Sequence, residues 1–235
     1  MKGIALFSGG LDSTLVVGKL LEAEHEITPL FVDYGQYPIV NELRACSDIH
    51  YYLKSRHIYD LNNLEVVKID IGRSVAAFWG RSIAMVGIAA MWAYLNGDDY
   101  EFVALGHHSG DVGLDCKPGD FDKALNESLE IATNGRLCIS LPIKDLTSNE
   151  IGPELKRLGI PFTMTYNCYW SLPCGWRSDK DEYRCPGCLR KRKAMEAAGL
   201  TDPELLDHPN TSVRTYFPRE FVRGERVNHA PPEIR

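Results

Sequence analysis

The chain has 235 residues, of which 44% are hydrophobic, and its formal net charge at pH 7 is −6. This length and apolar content predict one α/β domain of upper-middle size, with room for a small appendage. The negative charge provides no global field to attract nucleic acid or a membrane surface, and the sequence has no run of 18 apolar residues that would indicate a membrane span. A polar turn begins at residue 8, where a signal peptide needs its apolar core, so we expect a cytoplasmic protein.

The first predicted strand, at residues 4–7, runs directly into a turn suited to an anion. The turn consists of Ser8, Gly9, Gly10, Leu11, Asp12, Ser13 and Thr14. Its two glycines allow a tight turn and close approach to a ligand, and the helix that follows offers N–H groups and a favourable dipole to negative charge. We interpret the turn as a phosphate or pyrophosphate site. An ordinary helix cap is the alternative, although a single hydroxyl or carboxylate is enough for capping.

The rest of the chain alternates between strand-like and helix-like patterns. Apolar and β-branched runs predict further strands at residues 27–34, 64–71, 101–105 and 137–141. Helical periodicity predicts helices after the first turn, from Pro38 onward, and at residues 82–95, 121–133, 148–158 and 189–198. We expect the helix at 82–95 to be buried because it is almost wholly apolar. The alternation predicts a Rossmann-like, doubly wound parallel sheet that binds ligands beyond the carboxyl ends of its strands.

Polar residues follow the second strand and precede the apolar helix. Asp33 comes at the end of that strand, before Tyr34, Gly35 and Gln36. An acid in this position binds a ribose or an adenine edge, or it forms a simple turn, and the sequence leaves both interpretations open. Arg81 stands at the start of the apolar helix, where its guanidinium either satisfies nearby carbonyl groups or faces a carboxylate or phosphate.

A polar loop follows the fourth strand. It begins at Gly106 and contains His107, a second histidine, Asp111 and Asp115, together with two more glycines. Loops after central strands commonly carry function. We therefore favour a loop that wraps a polar, planar ligand over a loop that is merely solvated.

Four cysteines close together in the sequence indicate a metal site. They are Cys168, Cys174, Cys185 and Cys188. Four thiolates form a closed, tetrahedral Zn²⁺ site without an open position for catalysis, so we expect zinc to stabilise the fold there. Unrelated reduced thiols are the alternative, since a disulfide framework is not expected in the cytoplasm.

The chain divides into three segments on these grounds. Residues 1–160 form the predicted α/β domain with the phosphate-binding turn, residues 161–204 a zinc-binding loop and helix that complete the ligand site, and residues 205–235 an irregular tail. Four consecutive basic residues, at 190–193, follow the last cysteine pair. They are either a solvated helix face or a source of positive charge for an anionic substrate or a leaving pyrophosphate.

The turn at residues 8–13 matches the SGGxDS loop of the N-type ATP pyrophosphatases, or PP-loop superfamily. Further segments resemble the 7-cyano-7-deazaguanine synthase (QueC) family, in the same order along the chain. These segments are residues 33–36, 115–118, 141–143 and 165–169 and the closing Cys-x2-Cys. The resemblance extends from residue 3 to about residue 203.

The resemblance implies an adenine nucleotide α-hydrolase-like fold that uses ATP and Mg²⁺, with Zn²⁺ in the cysteine site. ATP adenylates the carboxylate of 7-carboxy-7-deazaguanine, ammonia attacks to give an amide, and a second ATP activates that amide so that loss of AMP leaves the nitrile. This reaction needs no nucleophilic Ser/His/Asp set, and the sequence shows none. A homodimer is also implied. The implied catalytic residues are Asp12, Ser13 and Arg81; the ATP contacts are residues 8–14, Asp33 and Gly106; the substrate contacts are Tyr34, Gln36, Arg81, His107, Asp111 and Asp115.

The sequence departs from the family pattern on the substrate side. Arg81 is followed by Ser82 where the family usually has Asn, only two residues of the usual loop match well, at 115 and 116, and residues 176–184 form an insertion. A QueC-like ligase that transfers the activated acyl group to an amine of a protein or another partner is therefore an alternative. A non-catalytic nucleotide-binding module and a tRNA-thiolating enzyme fit less well, because the loop is intact and no nucleic-acid domain is visible.

Overall fold

The computed structural model describes residues 1–72, 80–97, 99–109, 119–169 and 185–201. Within these ranges, five parallel strands form one sheet in the order β3-β2-β1-β4-β5. The strands are β1 (Lys2–Leu6), β2 (Glu26–Asp33), β3 (Glu65–Lys68), β4 (Phe102–Ala104) and β5 (Cys138–Ser140). The helices are α1 (Leu11–Glu22), α2 (Ile39–Lys54), α3 (Arg81–Asn96), α4 (Asp120–Ala132), α5 (Ser148–Arg157) and α6 (Pro186–Ala197).

Helices cover both faces of this sheet. Neighbouring residues of β1 point to opposite faces: Ala5 joins an apolar cluster with α1, α2, α5 and α6, and Ile4 joins a second cluster with α3 and α4. The strand order reverses at β1, which lies between β2 and β4. The predicted doubly wound parallel sheet is confirmed, and the end of β1 is the point at which such sheets bind ligands.

The prediction that the helix at 82–95 is buried is wrong for half of its surface. Val86, Ala89 and Ala93 are buried against the sheet, whereas Met91 is 51% exposed and Tyr94 is 77% exposed. Only one side of a helix can face a sheet, so an apolar sequence does not by itself bury the other side. None of the helices in the described part of the chain has the length and apolar character needed to cross a bilayer.

The last helix begins earlier than predicted. We expected it to start at residue 189, but α6 starts at Pro186 with Cys185 as its N-cap residue. Proline is well accommodated at the first helical position, because the N–H it lacks has no acceptor within the helix there. The Cys-Pro-Gly-Cys segment is therefore the first turn of α6.

Helices α5 and α6 cross at Gly152, where their backbones come very close. A Cβ at this glycine would lie 1.9 Å from the carbonyl oxygen of Ala194. This distance is far inside van der Waals contact, so no larger residue fits unless the helices separate. The crossing holds α6, and with it the last two cysteines, against the main domain.

We predict that Gly152→Ala lowers the free energy of unfolding by about 1–3 kcal/mol, because the methyl group forces the two helices apart. Thermal and urea denaturation followed by circular dichroism measure this change. Gly87→Ala is the matched control, since nothing lies within 4 Å of a Cβ at that exposed position of α3. The control is expected to gain roughly 0.5–1 kcal/mol from its higher helix propensity. Equal changes in the two variants would contradict the close crossing.

Candidate active site

The loop after β1 is held closed by the side chain of Ser13. Its hydroxyl oxygen accepts a hydrogen bond from the N–H of Ser8 at 3.2 Å and donates to the carbonyl oxygen of Gly10 at 3.3 Å. Gly9 has φ +72°, and a Cβ there would lie 2.8 Å from the Cβ of Ala45 on α2. The glycine pair thus forms the tight turn that we expected, and it directs the N-terminus of α1 toward the carboxyl edge of the sheet.

A segment from the C-terminal part of the chain supports this loop. We call residues 165–168 the strap. The N–H of Tyr166 donates to the carbonyl oxygen of Gly9 at 2.8 Å, and the side-chain oxygen of Asn167 accepts from the N–H of Leu11 at 3.3 Å. Lys191, which is fully buried on α6, donates to the carbonyl oxygen of Thr165 at 2.6 Å. Two of the strap residues therefore hydrogen-bond directly to the turn that we assigned to ATP.

The carboxylate of Asp12 lies between two basic side chains. Its Oδ1 is 3.8 Å from Nε2 of His108, and its Oδ2 is 3.5 Å from Nη1 of Arg190. Gly106 is adjacent, since a Cβ there would lie 3.2 Å from the Cβ of Asp12. The guanidinium of Arg190 next to a helix N-terminus favours a polyanionic ligand.

The basic run at residues 190–193 is therefore not a uniform solvated face. Arg190 lies beside Asp12, Lys191 is fully buried, and Arg192 pairs with Glu196 at 2.9 Å. Desolvation on burial lowers the pKa of Lys191 to about 7. Of the two interpretations left open by the sequence, placement of a cation near the predicted pyrophosphate site fits Arg190.

Residues at the end of β2 build a turn. The Oδ1 atom of Asp33 accepts from the N–H of Gly35 at 3.0 Å. Gln36 is buried; its side-chain oxygen accepts from the N–H of Tyr34 at 3.0 Å, and its amide nitrogen donates to Glu42 at 3.0 Å. Tyr34 is buried as well. The proposed contacts of Asp33, Tyr34 and Gln36 with ligands remain predictions, and the structure shows that the same residues shape the turn.

Glu42, on α2, is a site residue that the sequence did not indicate. Burial raises the pKa of its carboxyl group to about 7, while the hydrogen bond from Gln36 and the positive charge of Arg81 oppose this shift. Arg81 and Glu42 therefore face the same region between α2 and α3. A carboxyl group with a raised pKa beside an arginine is a common feature of functional sites.

Three side chains beyond the end of β4 form a hydrogen-bonded chain. Oγ of Ser82 lies 3.1 Å from Nε2 of His107, and Nδ1 of His107 lies 2.7 Å from Oδ1 of Asp122. These residues come from α3, from the loop after β4 and from α4. No Ser/His/Asp set is evident in the sequence, because these three residues are far apart along the chain and meet only in the fold.

The cysteines assigned to zinc converge as far as the structure describes them. The sulfur atoms of Cys168, Cys185 and Cys188 all lie within 4.8 Å of one another, and all three residues are buried. The N–H of Tyr169 donates to Sγ of Cys185 at 3.3 Å, a contact that suits a thiolate. Zn–S bonds of about 2.3 Å place tetrahedral sulfur atoms about 3.8 Å apart, so the cluster fits zinc.

Several predicted residues lie outside the described ranges. These are Cys174, Asp111 and Asp115, together with the insertion at 176–184 and the tail at 205–235. Thr14, which we assigned to ATP, is fully buried, and its hydroxyl has no hydrogen-bond partner among the described residues. Its role stays a prediction.

Comparison with known proteins identifies the family. The sequence profile described as "Queuosine biosynthesis protein QueC" matches residues 2–75 and 72–199. The chain belongs to the QueC family. Relatives named 7-cyano-7-deazaguanine synthase include proteins of Methanocaldococcus jannaschii, with 28% identity over 86% of this chain and 97% of the relative, and Picrophilus torridus, with 29% identity over 92% and 96%. A third, from Chlorobium phaeobacteroides, is 26% identical over 86% of this chain and 96% of its own length.

One solved structure that matches this QueC-family chain is distantly similar to it. A 4-thiouridine synthetase, solved as an RNA complex with bound ATP, has a TM-score of 0.49 and 15% identity to it. The similarity covers 90% of this chain and 53% of the synthetase, and it is too low to support a conclusion about function.

The raised pKa of Glu42 predicts a specific dependence of stability on pH. A carboxyl pKa near 7 in the folded state, above the ordinary value of 4.5, means that the folded protein binds this proton more tightly than the unfolded chain. Stability is therefore lost as pH rises from about 4.5 to about 7. We expect the stability of Glu42→Gln relative to the parent to increase across that interval. At pH 8, above the interval, the difference should be on the order of 2–3 kcal/mol. Urea denaturation at several pH values measures the difference.

Glu150→Gln is the matched control for this measurement. The backbone and side chain of Thr147 donate hydrogen bonds that hold the pKa of Glu150 below 4.5. This control should therefore be less stable than the parent at neutral pH and converge with it in acid. A Glu42→Gln effect that does not change with pH would contradict the desolvated carboxyl group.

The cysteine cluster predicts that zinc copurifies with the protein at about one ion per chain. Cys188→Ser should lose most of this zinc and unfold at a lower temperature, because the thiolate supplies both a ligand and folding energy. Cys138→Ser, on β5 and outside the cluster, should retain the metal. Elemental analysis by mass spectrometry measures the metal content, and equal zinc in the two variants would count against the site.

Proposed function

We propose that this protein is an ATP-dependent C–N ligase that converts 7-carboxy-7-deazaguanine to 7-cyano-7-deazaguanine through an acyl-adenylate and an amide. The position of the glycine loop is the observation that carries the proposal. The loop lies where the strand order reverses, with Asp12, Arg190 and the first turn of α1 around it. Membership of the QueC family and the names of the relatives supply the substrate.

The first step joins the substrate to AMP. A carboxylate oxygen of the substrate attacks the α-phosphorus of ATP, the bond to the β-phosphate breaks, and pyrophosphate leaves. Charge accumulates on the departing pyrophosphate, so groups that stabilise negative charge there lower the barrier. In this proposal the N–H groups of α1 and the guanidinium of Arg190, which lies 3.5 Å from Asp12, have this role. The Ser13 hydroxyl keeps the loop in its turned shape.

The second and third steps form the nitrile. Ammonia attacks the acyl carbon, AMP leaves, and the nitrogen loses a proton to give the amide. The amide oxygen then attacks the α-phosphorus of a second ATP, pyrophosphate leaves, and the nitrogen loses a proton. Loss of AMP and of the second nitrogen proton leaves the carbon–nitrogen triple bond. In this proposal Arg81, at the start of α3, holds the substrate while its acyl carbon reacts; its positive charge also acts on Glu42.

Magnesium and zinc belong to different parts of this proposal. Magnesium binds through one or two carboxylates together with phosphate oxygens, and the Asp12 carboxylate beside the loop hydroxyls fits that donor set. When bound, it supplies positive charge to the phosphates. Zinc would be held by Cys168, Cys185 and Cys188 and by Cys174, as a structural ion that anchors the strap.

We predict that Asp12→Asn lowers exchange between pyrophosphate and ATP, measured with carboxy-deazaguanine, by about 100-fold or more, because it removes the carboxylate that we propose to bind Mg²⁺ at the phosphates. Asp48→Asn is the matched control, since Asp48 lies on an exposed part of α2 and pairs only weakly with Arg44 at 3.9 Å. Mass analysis of the product completes the test. A cyano product formed with two ATP consumed supports the synthase. An amide that joins the deazaguanine to another molecule would instead support the QueC-like ligase that transfers the acyl group to a partner's amine.

A further inference from the structure

The Ser82–His107–Asp122 chain has the geometry of an activated serine. The two hydrogen bonds, 3.1 Å and 2.7 Å long, connect hydroxyl to imidazole and imidazole to carboxylate. In nucleophilic enzymes the nucleophile lies within hydrogen-bond reach of a base, and a third group orients that base. The same order of groups is found here on three separate elements of the fold.

The carboxylate decides which nitrogen of His107 carries the proton. An ionised Asp122 can only accept, so Nδ1 of His107 must donate to it. Nε2 is then the acceptor, and the hydroxyl of Ser82 donates its proton toward that nitrogen. This arrangement leaves the imidazole ready to remove the hydroxyl proton, which is the task of the base in such sets.

The Ser82–His107–Asp122 side chains also lie at the edge of the sheet that we assign to catalysis. His107 follows Gly106, where an added Cβ would lie 3.2 Å from the Cβ of Asp12, and Ser82 is the next residue after Arg81. Ser82 is the second residue of α3, and no described side chain caps that helix. The N–H groups of a first helical turn have no acceptor within the helix, so they offer donors for an oxyanion beside the hydroxyl.

The base and its carboxylate are only partly shielded from solvent, whereas Ser82 is buried, with 8% of its surface exposed. The side chain of His107 is 22% exposed and that of Asp122 is 15% exposed. Phe121 packs beside the imidazole, with ring centroids 6.2 Å apart. A base of this kind, held by a carboxylate and open on one side, can be reached by a substrate.

We propose that Ser82 is a nucleophile that accepts an acyl group, with His107 as its general base and Asp122 as the residue that positions His107. The identity of the acyl group rests on the proposed function: it is the deazaguanine carboxylate activated as its adenylate. This step replaces the direct attack of ammonia on the adenylate. Oγ of Ser82 bonds to the acyl carbon, the bond from that carbon to the AMP oxygen breaks, and the hydroxyl proton passes to Nε2 of His107. An amine then attacks the ester, and Ser82 takes the proton back as it leaves.

Ser82 holds the acyl group as a covalent ester after AMP departs. The two-step route lets the acceptor amine enter once the nucleotide has left, because the acyl group stays bound to the protein. The base that activates Ser82 then assists the amine, which must lose a proton during attack. Ser82 and His107 thus serve both halves of the transfer.

The first test does not depend on ATP. The purified protein is treated with a fluorophosphonate probe, which labels activated serines, and the labelled peptide is identified by mass spectrometry. We expect labelling at Ser82, loss of labelling in Ser82→Ala, and unchanged labelling in Ser128→Ala, a control serine on α4 that bonds to its own helix. Absence of labelling at Ser82 in the folded parent protein would overturn the proposal.

Asp122→Asn separates positioning from simple structural support. With an amide in place of the carboxylate, the proton of His107 is no longer held on Nδ1, so the labelling rate should fall by about 100-fold or more. The dependence of that rate on pH, which reports the titration of the base, should also change. A variant that unfolds like the parent and keeps both its rate and its pH profile contradicts the assigned role.

The second test distinguishes this proposal from the proposed function. Parent protein, ATP and carboxy-deazaguanine are mixed without ammonia, and the mass of the intact protein is measured by mass spectrometry. An added acyl mass at Ser82, absent in Ser82→Ala, supports the role of Ser82 as a nucleophile. Pyrophosphate exchange without any added mass overturns that role and does not contradict the proposed synthase. If the parent shows no exchange, the proposed function fails, and fluorophosphonate labelling still decides whether Ser82 is an activated serine.

Discussion

The close contact of Gly9 with α2 on one side and with the strap on the other is the constraint on which the site depends. Its positive φ turns the chain out of β1, and any Cβ would meet the Cβ of Ala45 at 2.8 Å. Its carbonyl oxygen accepts the N–H of Tyr166 at 2.8 Å. The loop is therefore held from both sides before any ligand binds, so little conformational entropy remains to be lost when phosphates bind.

The cysteine cluster acts on the site through the strap. Cys168 ends the strap, and Gly187 lies so close to it that a Cβ would be 1.8 Å from the carbonyl oxygen of Asn167. The close crossing at Gly152 fixes α6, and α6 in turn brings Arg190 to Asp12. A structural metal at the cysteines would thus organise catalytic residues without touching the substrate.

Charged groups of opposite sign lie near one another at the carboxyl edge. Asp12 is 3.5 Å from Arg190, and the positive charge of Arg81 acts on Glu42. A buried carboxyl group such as Glu42 is stabilised in its charged form by a neighbouring arginine and destabilised by loss of water, and burial is the stronger influence here. An anionic substrate that attracts Arg81 would change this balance, which couples the titration of Glu42 to binding.

The sequence by itself determined the features that depend on local pattern. These are the glycine turn at the end of β1, the alternation that predicts a parallel sheet, and the spacing of the cysteines. Tertiary structure alone decided the pairs that come from distant positions: His107 meets Ser82 across 25 residues and Asp122 across 15, while Asn167 reaches Leu11 across 156. It also decided which side of α3 is buried. Periodicity reports how neighbours along the chain share a face, whereas the approach of separate elements follows from packing of the whole sheet.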